Sequence, residues 1–382
     1  MKKTGIITIH NSPNYGACLQ SYALYKYIEQ QGNDVEIIDL YRPVAFKDYV
    51  PSKKYVASRR KKQSKKNCVK SMVRSLFGIK PKVSNLYSEA ALSKFTEFNS
   101  VIKLSRPYRG IDELYANPPK YDLYISGSDQ LWNPTQVYCL EPYFLTFVPQ
   151  GQGKKISFGT SIGITELREN EKNDFKTWLD SYDSICVREK QAQSLLQKLL
   201  PHKHIEQVAD PTFLLSPDYW KSIAVMPAQK GYILVFTLQY NPTIINYCRK
   251  LGNESGLNIV VLGQIQPDCP DGSYESVKDA GPKEFLGYIA NAEMVITDSF
   301  HCTVFSLIMG AKNFYTYISP DNHRGSRIID LLETYNLNDH LLNVDLNDDY
   351  SLLSSKVIDR DSVVLQINAE YKRAASFLSQ YL

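Results

Sequence analysis

The chain has 382 residues, of which 43% are hydrophobic and 22% are charged, and its formal net charge is +4 at pH 7. These proportions are typical of a soluble globular protein, and so mild a charge gives no reason to expect a nucleic-acid partner. Because this length exceeds one ordinary hydrophobic core, we expect two domains.

The cysteines and the apolar runs bear on where the protein resides. There are seven scattered cysteines and no Cys-x-x-Cys pair, which argues for free thiols in a reducing compartment and against a disulfide framework or a zinc site. The apolar run at residues 5–9 is too short for a signal peptide, and no window suits a transmembrane helix. We therefore predict a cytoplasmic protein that needs no metal and no cofactor.

The chain opens with a β–loop–α–β pattern. Residues 5–9 predict a strand, residues 11–16 a loop, residues 17–31 a helix and residues 35–40 a second strand. This succession predicts a parallel sheet.

A basic stretch at residues 41–110 interrupts the pattern. No acidic residue lies between Asp48 and Glu89, whereas lysines and arginines are dense over residues 53–82. An apolar stripe runs along this segment through Val69, Met72, Val73, Leu76 and Phe77. A basic amphipathic helix suits peripheral contact with the anionic inner face of the plasma membrane. The alternative, an insertion that packs its apolar face on the same protein, stays open.

Strand patterns then resume in two series. They lie at residues 123–125, 155–159, 184–187 and 207–209, and again at 232–236, 258–262, 294–297 and 313–317. Two successive α/β units predict two Rossmann-like domains facing a cleft, where ligands bind beyond the carboxyl ends of the strands. We expect an N-terminal domain at 1–215 and a C-terminal domain at 216–358. A last helix at 359–382 is expected to return to the first domain.

Residues 292–311 are the most informative segment. A short apolar strand at 294–297 is followed by Asp298 or Ser299, either of which suits a helix N-cap, and helical spacing then continues to Gly310. His301 therefore lies in the first turn of a helix, where free N–H groups and the helix dipole favour an anion. An imidazole there predicts acid–base chemistry on a phosphate or carboxylate. The alternative is a capping or packing histidine.

Four polar loops follow predicted strands, at residues 11–20, 126–133, 187–190 and 298–301. Gly16 and Gly127 would allow the backbone to approach a ligand closely. No loop matches a Walker A, a Gly-x-Gly-x-x-Gly or a Gly-x-Ser-x-Gly pattern, so ATP binding, NAD binding and serine hydrolysis are unsupported.

Several motifs, in order, resemble the polysaccharide pyruvyl transferase family. They are Asn14-Tyr15-Gly16-Ala17, Ser126-Gly127-Ser128-Asp129-Gln130-Leu131-Trp132-Asn133, Val187-Arg188-Glu189, Asp210-Pro211-Thr212 and Asp298-Ser299-Phe300-His301-Cys302-Thr303. The resemblance runs from about residue 5 to residue 332 and leaves the basic insertion outside its strong part. Cys302 departs from the pattern, because a glycine is commoner there.

This resemblance implies an α/β, GT-B-like fold of two Rossmann-like domains facing an interdomain cleft. It implies transfer of pyruvate from phosphoenolpyruvate, the co-substrate, onto a sugar as a ketal, with release of phosphate. The acceptor would be a capsule, exopolysaccharide or cell-wall glycan precursor. The basic insertion suggests a lipid-linked oligosaccharide.

The resemblance also implies roles for particular residues. His301 would act as the general acid. The donor would contact Arg188, Arg327, Ser299 and Ser128, and the acceptor would contact Asn14, Tyr15, Asp129 and Trp132. Arg324 competes with Arg327 for the second basic position. Surface salt bridges for the arginines and loop-shaping roles for Ser128, Asp129 and Trp132 are the simpler alternatives.

Two other functions remain open at this stage. A GT-B glycosyltransferase that uses a nucleotide sugar would bind UDP or GDP rather than phosphoenolpyruvate. An inactive glycan-binding protein of the same fold would bind sugar without turnover, since a fold does not guarantee an activity.

Overall fold

A computed structural model of the protein describes residues 2–41, 87–136, 139, 141–239, 241–263, 272–319 and 325–382. The predicted membrane segment at 53–82 and Arg324 therefore lie outside the described residues. Among the residues that are described, no helix is both long enough and apolar enough to cross a membrane.

The first half of the chain forms a parallel sheet in the strand order β2-β1-β3-β4, extended by the pair β5-β6. Bridges from Ile156 to Ser184 and from Thr160 to Val187 connect the edge strand β4 to β5. The strands are β1 (Lys3–Ile7), β2 (Asp34–Ile37), β3 (Leu123–Ser126), β4 (Lys154–Ser157), β5 (Ile185–Val187) and β6 (Ile205–Gln207). The helices are α1 (Tyr15–Gln30), α2 (Glu89–Asn99), α3 (Ile111–Ala116), α4 (Glu169–Asp180) and α5 (Lys190–Leu199).

The second half forms a parallel sheet in the order β11-β10-β7-β8-β9, as in a Rossmann unit. Its strands are β7 (Ile233–Phe236), β8 (Ile259–Leu262), β9 (Glu275–Val277), β10 (Met294–Thr297) and β11 (Phe314–Thr316). Its helices are α6 (Pro217–Ile223), α7 (Pro242–Ser255), α8 (Pro282–Asn291), α9 (Phe300–Met309), α10 (Ser326–Thr334), α11 (Tyr350–Ser355) and α12 (Arg360–Ser379). The central strands are buried apolar runs because helices cover both faces of the sheet.

Several element boundaries differ from those predicted. The first strand covers Lys3–Ile7 rather than residues 5–9, because its pairing with β3 ends where Ile7 meets Ser126. The first helix begins at Tyr15 because the side chain of Asn14 accepts a hydrogen bond from the Ala17 N–H at 3.0 Å. This side-chain cap extends the helix into the predicted loop.

Helix α1 packs at the junction of the two sheets. The ring of Tyr15, at its first residue, stacks on Phe285 of α8 with ring centroids 4.5 Å apart. Its hydroxyl donates to the Ala280 carbonyl at 2.8 Å. The amino end of α1 is thereby fixed against the second half of the chain.

The last helix, α12, contacts the first half of the chain. The ring of Phe377 lies 6.0 Å from Phe158, and the Lys2 ammonium donates to the Tyr381 carbonyl at 2.5 Å. The domain boundaries at 215 and 358 stay predictions.

Candidate active site

Helix α9 begins at the carboxyl end of β10, beside the point where the strand order of the second sheet reverses. The Ser299 side chain accepts a hydrogen bond from the Cys302 N–H at 3.4 Å, and Gly310 ends the helix with a φ of 70°. The N-cap is therefore Ser299 rather than Asp298. His301 is the second residue of this helix, so its imidazole lies in the first turn.

The imidazole of His301 is held between the two halves of the chain. Its Nε2 lies 3.3 Å from Oδ2 of Asp210, an ion-pair distance without good hydrogen-bond geometry. A methyl group on Gly16 would lie only 2.2 Å from Nδ1. The close approach that requires glycine at position 16 is thus made by His301 and not, as we had expected, by a ligand.

Asp210 connects His301 to Arg188. Its Oδ1 accepts from the backbone and the hydroxyl of Thr212 at 3.0 and 2.9 Å, and its Oδ2 accepts from Arg188 Nη1 at 2.5 Å. Burial alone would raise its pKa, but the charges of His301 and Arg188 hold the pKa of Asp210 below its ordinary value. Asp210 is therefore an anion that orients both groups.

The guanidinium of Arg188 has unused hydrogen-bonding capacity. Its side chain is 2% exposed, and it lies 3.6 Å from Glu189 (Nε to Oε1) and 4.0 Å from Asp129 (Nη2 to Oδ1). Within the described part of the chain, Nε and Nη2 make no hydrogen bond. A buried arginine rarely leaves donors unused, so these atoms have the chemistry that the predicted anion contact requires.

Arg188 and Arg327 meet at a cavity of about 290 Å³ between the two halves of the chain. Their guanidinium carbons lie 4.5 and 5.3 Å from the centroid of the Phe300 ring, which is within the range of cation–π contact. The structure thus brings together two of the predicted donor-binding residues. Their binding roles stay predictions.

Two faces of helices complete the cavity. Helix α10 contributes Arg327, Asp330 and Thr334, and helix α12 contributes Gln366, Glu370 and Arg373. Each set follows helical spacing, so each lies on one face of its helix. The residues of the second set were not among the predicted site residues, although this spacing of polar residues is visible in the sequence.

The two predicted donor-binding serines have other partners. Ser128 is fully buried and its hydroxyl donates to the Gly159 carbonyl at 2.8 Å. This hydrogen bond joins two loops, and the predicted contact of Ser128 with the donor stays a prediction. Ser299 is 4% exposed and its hydroxyl caps α9, so its contact with the donor stays a prediction.

Two of the predicted acceptor-binding residues belong to the core. Tyr15 is 1% exposed, with its ring stacked on Phe285. Trp132 is fully buried, lies 5.2 Å from the Phe144 ring and donates from Nε1 to the Tyr143 carbonyl at 3.0 Å. Core packing leaves neither ring exposed, and the predicted contacts of Tyr15 and Trp132 with the acceptor stay predictions.

Asn14 and Asp129 are more accessible. Asn14 caps α1 through its side chain. The side chain of Asp129 is 20% exposed and accepts from its neighbour Gln130 N–H at 2.8 Å, close to Arg188. Their contacts with an acceptor stay predictions.

Asp298, three residues before His301, has a largely buried carboxyl group. Its carboxylate accepts from the Leu238 N–H at 2.8 Å, and burial raises its pKa to about 6. In the sequence, this residue is only a candidate helix cap. Its neighbours in the fold, which lie 60 residues away, were not predictable from the local pattern.

Over the described ranges, no three His, Cys, Asp or Glu side chains are grouped so as to hold a metal ion. The prediction that no metal is required remains a prediction.

Comparison with solved structures defines the fold. The glycotransferase of kitacinnamycin superimposes with a TM-score of 0.52 at 12% identity, covering 100% of this chain and 99% of that one. The UDP-GlcNAc 2-epimerase of Methanocaldococcus jannaschii, in complex with UDP-GlcNAc and UDP, gives a TM-score of 0.49 at 12% identity and covers all of both chains. The predicted α/β, GT-B-like fold is confirmed. No curated protein matches the chain significantly.

The class of protein is a transferase, and the sequence defines it. The sequence profile of polysaccharide pyruvyl transferase matches residues 14–320. The chain belongs to this family, and the resemblance found in its motifs is confirmed.

Proposed function

We propose that the protein moves pyruvate from phosphoenolpyruvate onto two hydroxyls of a glycan-precursor sugar, forming a ketal and releasing phosphate. The observation that carries the proposal is the pair of unused N–H groups on buried Arg188, at a cavity that Arg327 also lines. Phosphoenolpyruvate carries a phosphate and a carboxylate, and guanidinium groups bind both well.

The chemistry requires a proton at one carbon of the donor. Protonation of the methylene carbon C3 makes C2 electrophilic, a sugar hydroxyl oxygen then forms a bond to C2, and its proton departs. The proton from this first hydroxyl returns to the group that protonated C3. The bond from C2 to the phosphate oxygen then breaks, the second hydroxyl oxygen forms a bond to C2 and closes the ketal, and the proton of that second hydroxyl leaves on the phosphate. Positive side chains beside the leaving phosphate would stabilise its charge in the transition state.

His301 is the group we assign to deliver the proton to C3. It lies at the start of α9, next to Phe300, whose ring contacts both arginines. Oδ2 of Asp210 lies 3.3 Å from Nε2, which places a buried carboxylate beside the ring at an ion-pair distance.

The test is product formation. The protein is incubated with phosphoenolpyruvate and methyl glycosides of galactose, glucose, mannose and N-acetylmannosamine, and products are read by mass spectrometry alongside phosphate release. We expect a sugar heavier by one pyruvyl ketal, formed by the wild type and not by His301→Ala. Glycosyl transfer from a UDP- or GDP-sugar, without ketal formation, would contradict the proposal.

The basic segment at 53–82 supports a narrower proposal, that the acceptor is lipid-linked at the inner face of the membrane. Deletion of residues 55–82 should abolish binding to anionic liposomes and spare activity on a soluble sugar. Unchanged liposome binding would contradict it.

A further inference from the structure

The same cavity contains buried carboxylate oxygens that the proposed donor does not explain. Glu189 is 3% exposed, and both of its carboxylate oxygens lack a hydrogen bond within the described residues. The same holds for Oδ2 of Asp330. A buried polar atom without a partner costs about 1–3 kcal/mol, so such a group in a native protein calls for an explanation.

The ion pair with Arg188 does not satisfy Glu189. The closest approach of the two groups is 3.6 Å, between Nε and Oε1, and no hydrogen bond results. Arg188 instead makes its direct hydrogen bond to Asp210. The contact with Arg188 therefore leaves both Glu189 oxygens without a hydrogen-bond donor among the described residues.

Asp330 lines the same cavity from helix α10. It lies three residues after Arg327 on α10, so both side chains project from one face of that helix. Burial raises the pKa of Asp330, and the nearby charge of Glu189 adds to the rise, while Lys190 opposes it. The two carboxyl groups are thus close enough to affect each other.

The carboxylates require a different kind of ligand from the arginines. Phosphoenolpyruvate in its ionised form offers only acceptor oxygens, so it would be repelled by Glu189 and Asp330. An ionised carboxylate can only accept hydrogen bonds. A ligand that satisfies these oxygens must carry several hydrogen-bond donors and no negative charge at that position, and a sugar ring with its hydroxyl groups meets both requirements.

Other polar groups in the cavity fit the same ligand. The Tyr335 hydroxyl is buried and makes no hydrogen bond in the described part of the structure. It lines the cavity together with the ring of Phe300. Sugar sites combine such hydrogen-bonding groups with an apolar ring that covers a face of the sugar.

We propose that Glu189 and Asp330 form the acceptor subsite, in which they accept hydrogen bonds from hydroxyl groups of the sugar. This inference rests on the proposed function, because it assigns the arginines of the same cavity to phosphoenolpyruvate. It also moves acceptor recognition away from Tyr15 and Trp132 to the end of β5 and the inner face of α10.

The test measures donor and acceptor binding separately. All proteins carry His301→Ala so that turnover does not consume the ligands. Calorimetry measures the affinity for the donor, phosphoenolpyruvate. Saturation-transfer NMR, in the presence of phosphoenolpyruvate, measures the binding of methyl glycosides of galactose, glucose, mannose and N-acetylmannosamine. The variants are Glu189→Gln and Asp330→Ala, and the matched control is Glu333→Ala, an exposed carboxylate on the same helix.

We expect the parent protein to bind at least one glycoside. Both cavity variants should weaken that signal at least fivefold and change the affinity for phosphoenolpyruvate less than threefold, while Glu333→Ala matches the parent. Equal sugar signals in all four proteins, or no sugar signal from the parent while phosphoenolpyruvate binds, would overturn the acceptor subsite alone. Loss of phosphoenolpyruvate binding in Glu189→Gln would mean that Glu189 positions Arg188, and it would overturn the assignment of Glu189 to the acceptor subsite. Absence of phosphoenolpyruvate binding by the parent would overturn the proposed function itself.

Discussion

Two polar loops at the carboxyl edge of the first sheet differ in how they use their side chains. In the loop after β3, the Ser128 hydroxyl and the Trp132 indole N–H each donate to a backbone carbonyl of the same half of the chain. Both loops retain buried atoms without hydrogen bonds among the described residues, in Gln130 and Asn133 after β3 and in Arg188 and Glu189 after β5. Of these two pairs, only Arg188 and Glu189 line the cavity of about 290 Å³. The difference teaches that polar composition at a strand end does not identify a site. Unsatisfied buried groups beside a cavity are the better indicator.

The largest expected effect is the difference between a substitution in the candidate site and one in the loop after β3. His301→Ala should lower turnover at least hundredfold, because general acid catalysis typically contributes about 10²–10⁴ in rate. Trp132→Phe, which removes one buried hydrogen bond, should keep the rate of the folded enzyme close to that of the wild type. Phosphate release from phosphoenolpyruvate with the acceptor sugar measures both. A larger loss in Trp132→Phe than in His301→Ala would reverse the comparison.

Asp210→Ala should chiefly lower stability. Removing this carboxylate leaves the buried Arg188 without its hydrogen-bonded partner, which typically costs about 3–5 kcal/mol at neutral pH. Because the folded-state pKa of Asp210 is lowered, its contribution is present above about pH 4 and is lost as the pH falls further. Denaturant unfolding at several pH values should show the difference from the wild type shrinking below pH 4. A difference that does not vary with pH would contradict the ion pair.

Gly16→Ala tests the contact that places His301. The added methyl would lie 2.2 Å from Nδ1 and must displace the ring, so we expect at least a tenfold loss of turnover. The control is Gly110→Ala, where a methyl meets no atom within 4 Å. Calorimetry should show that Gly16→Ala still binds phosphoenolpyruvate. Equal turnover in the two variants would mean that the ring position does not matter.

Asp298→Asn should have the smallest effect. The carboxyl has a pKa of about 6 in the folded state and about 4 when unfolded, so wild-type stability falls as the pH rises between these values. The amide does not ionise, and the variant should be more stable than the wild type above pH 6, by on the order of 1 kcal/mol. Thermal unfolding from pH 4 to pH 7 measures this. Parallel curves for the two proteins would contradict the assigned environment.

Local patterns predicted the parts of the fold that depend on local physics. The strand at 294–297, the helix from Phe300 and its end at Gly310 follow from apolar spacing and from helix caps. Contacts that depend on how the two halves meet were not predictable. Gly16 and His301 lie 285 residues apart in sequence, and nothing local indicates that one packs on the other.

The candidate site was predicted unevenly for the same reason. Arg188, Arg327 and His301 were identified through their motifs. The two arginines line the cavity, and His301 lies beside it, 3.3 Å from the lining residue Asp210. The burial of Tyr15 and Trp132 was not predictable, because the sequence of a polar loop does not distinguish an aromatic residue that binds a sugar from one that fills a core. Glu189 and Asp330 were overlooked as binding groups, since only the fold reveals a carboxylate that is buried without a partner.

Titration of phosphoenolpyruvate by calorimetry tests the central claim most directly. The wild type should bind it, Arg327→Ala should bind it at least tenfold more weakly, and Glu333→Ala should match the wild type. Arg327 is the better probe because Arg188 also supports the buried cluster around Asp210. UDP and GDP should give no heat of binding. Binding of UDP or GDP without binding of phosphoenolpyruvate would contradict the account and favour a nucleotide-sugar glycosyltransferase.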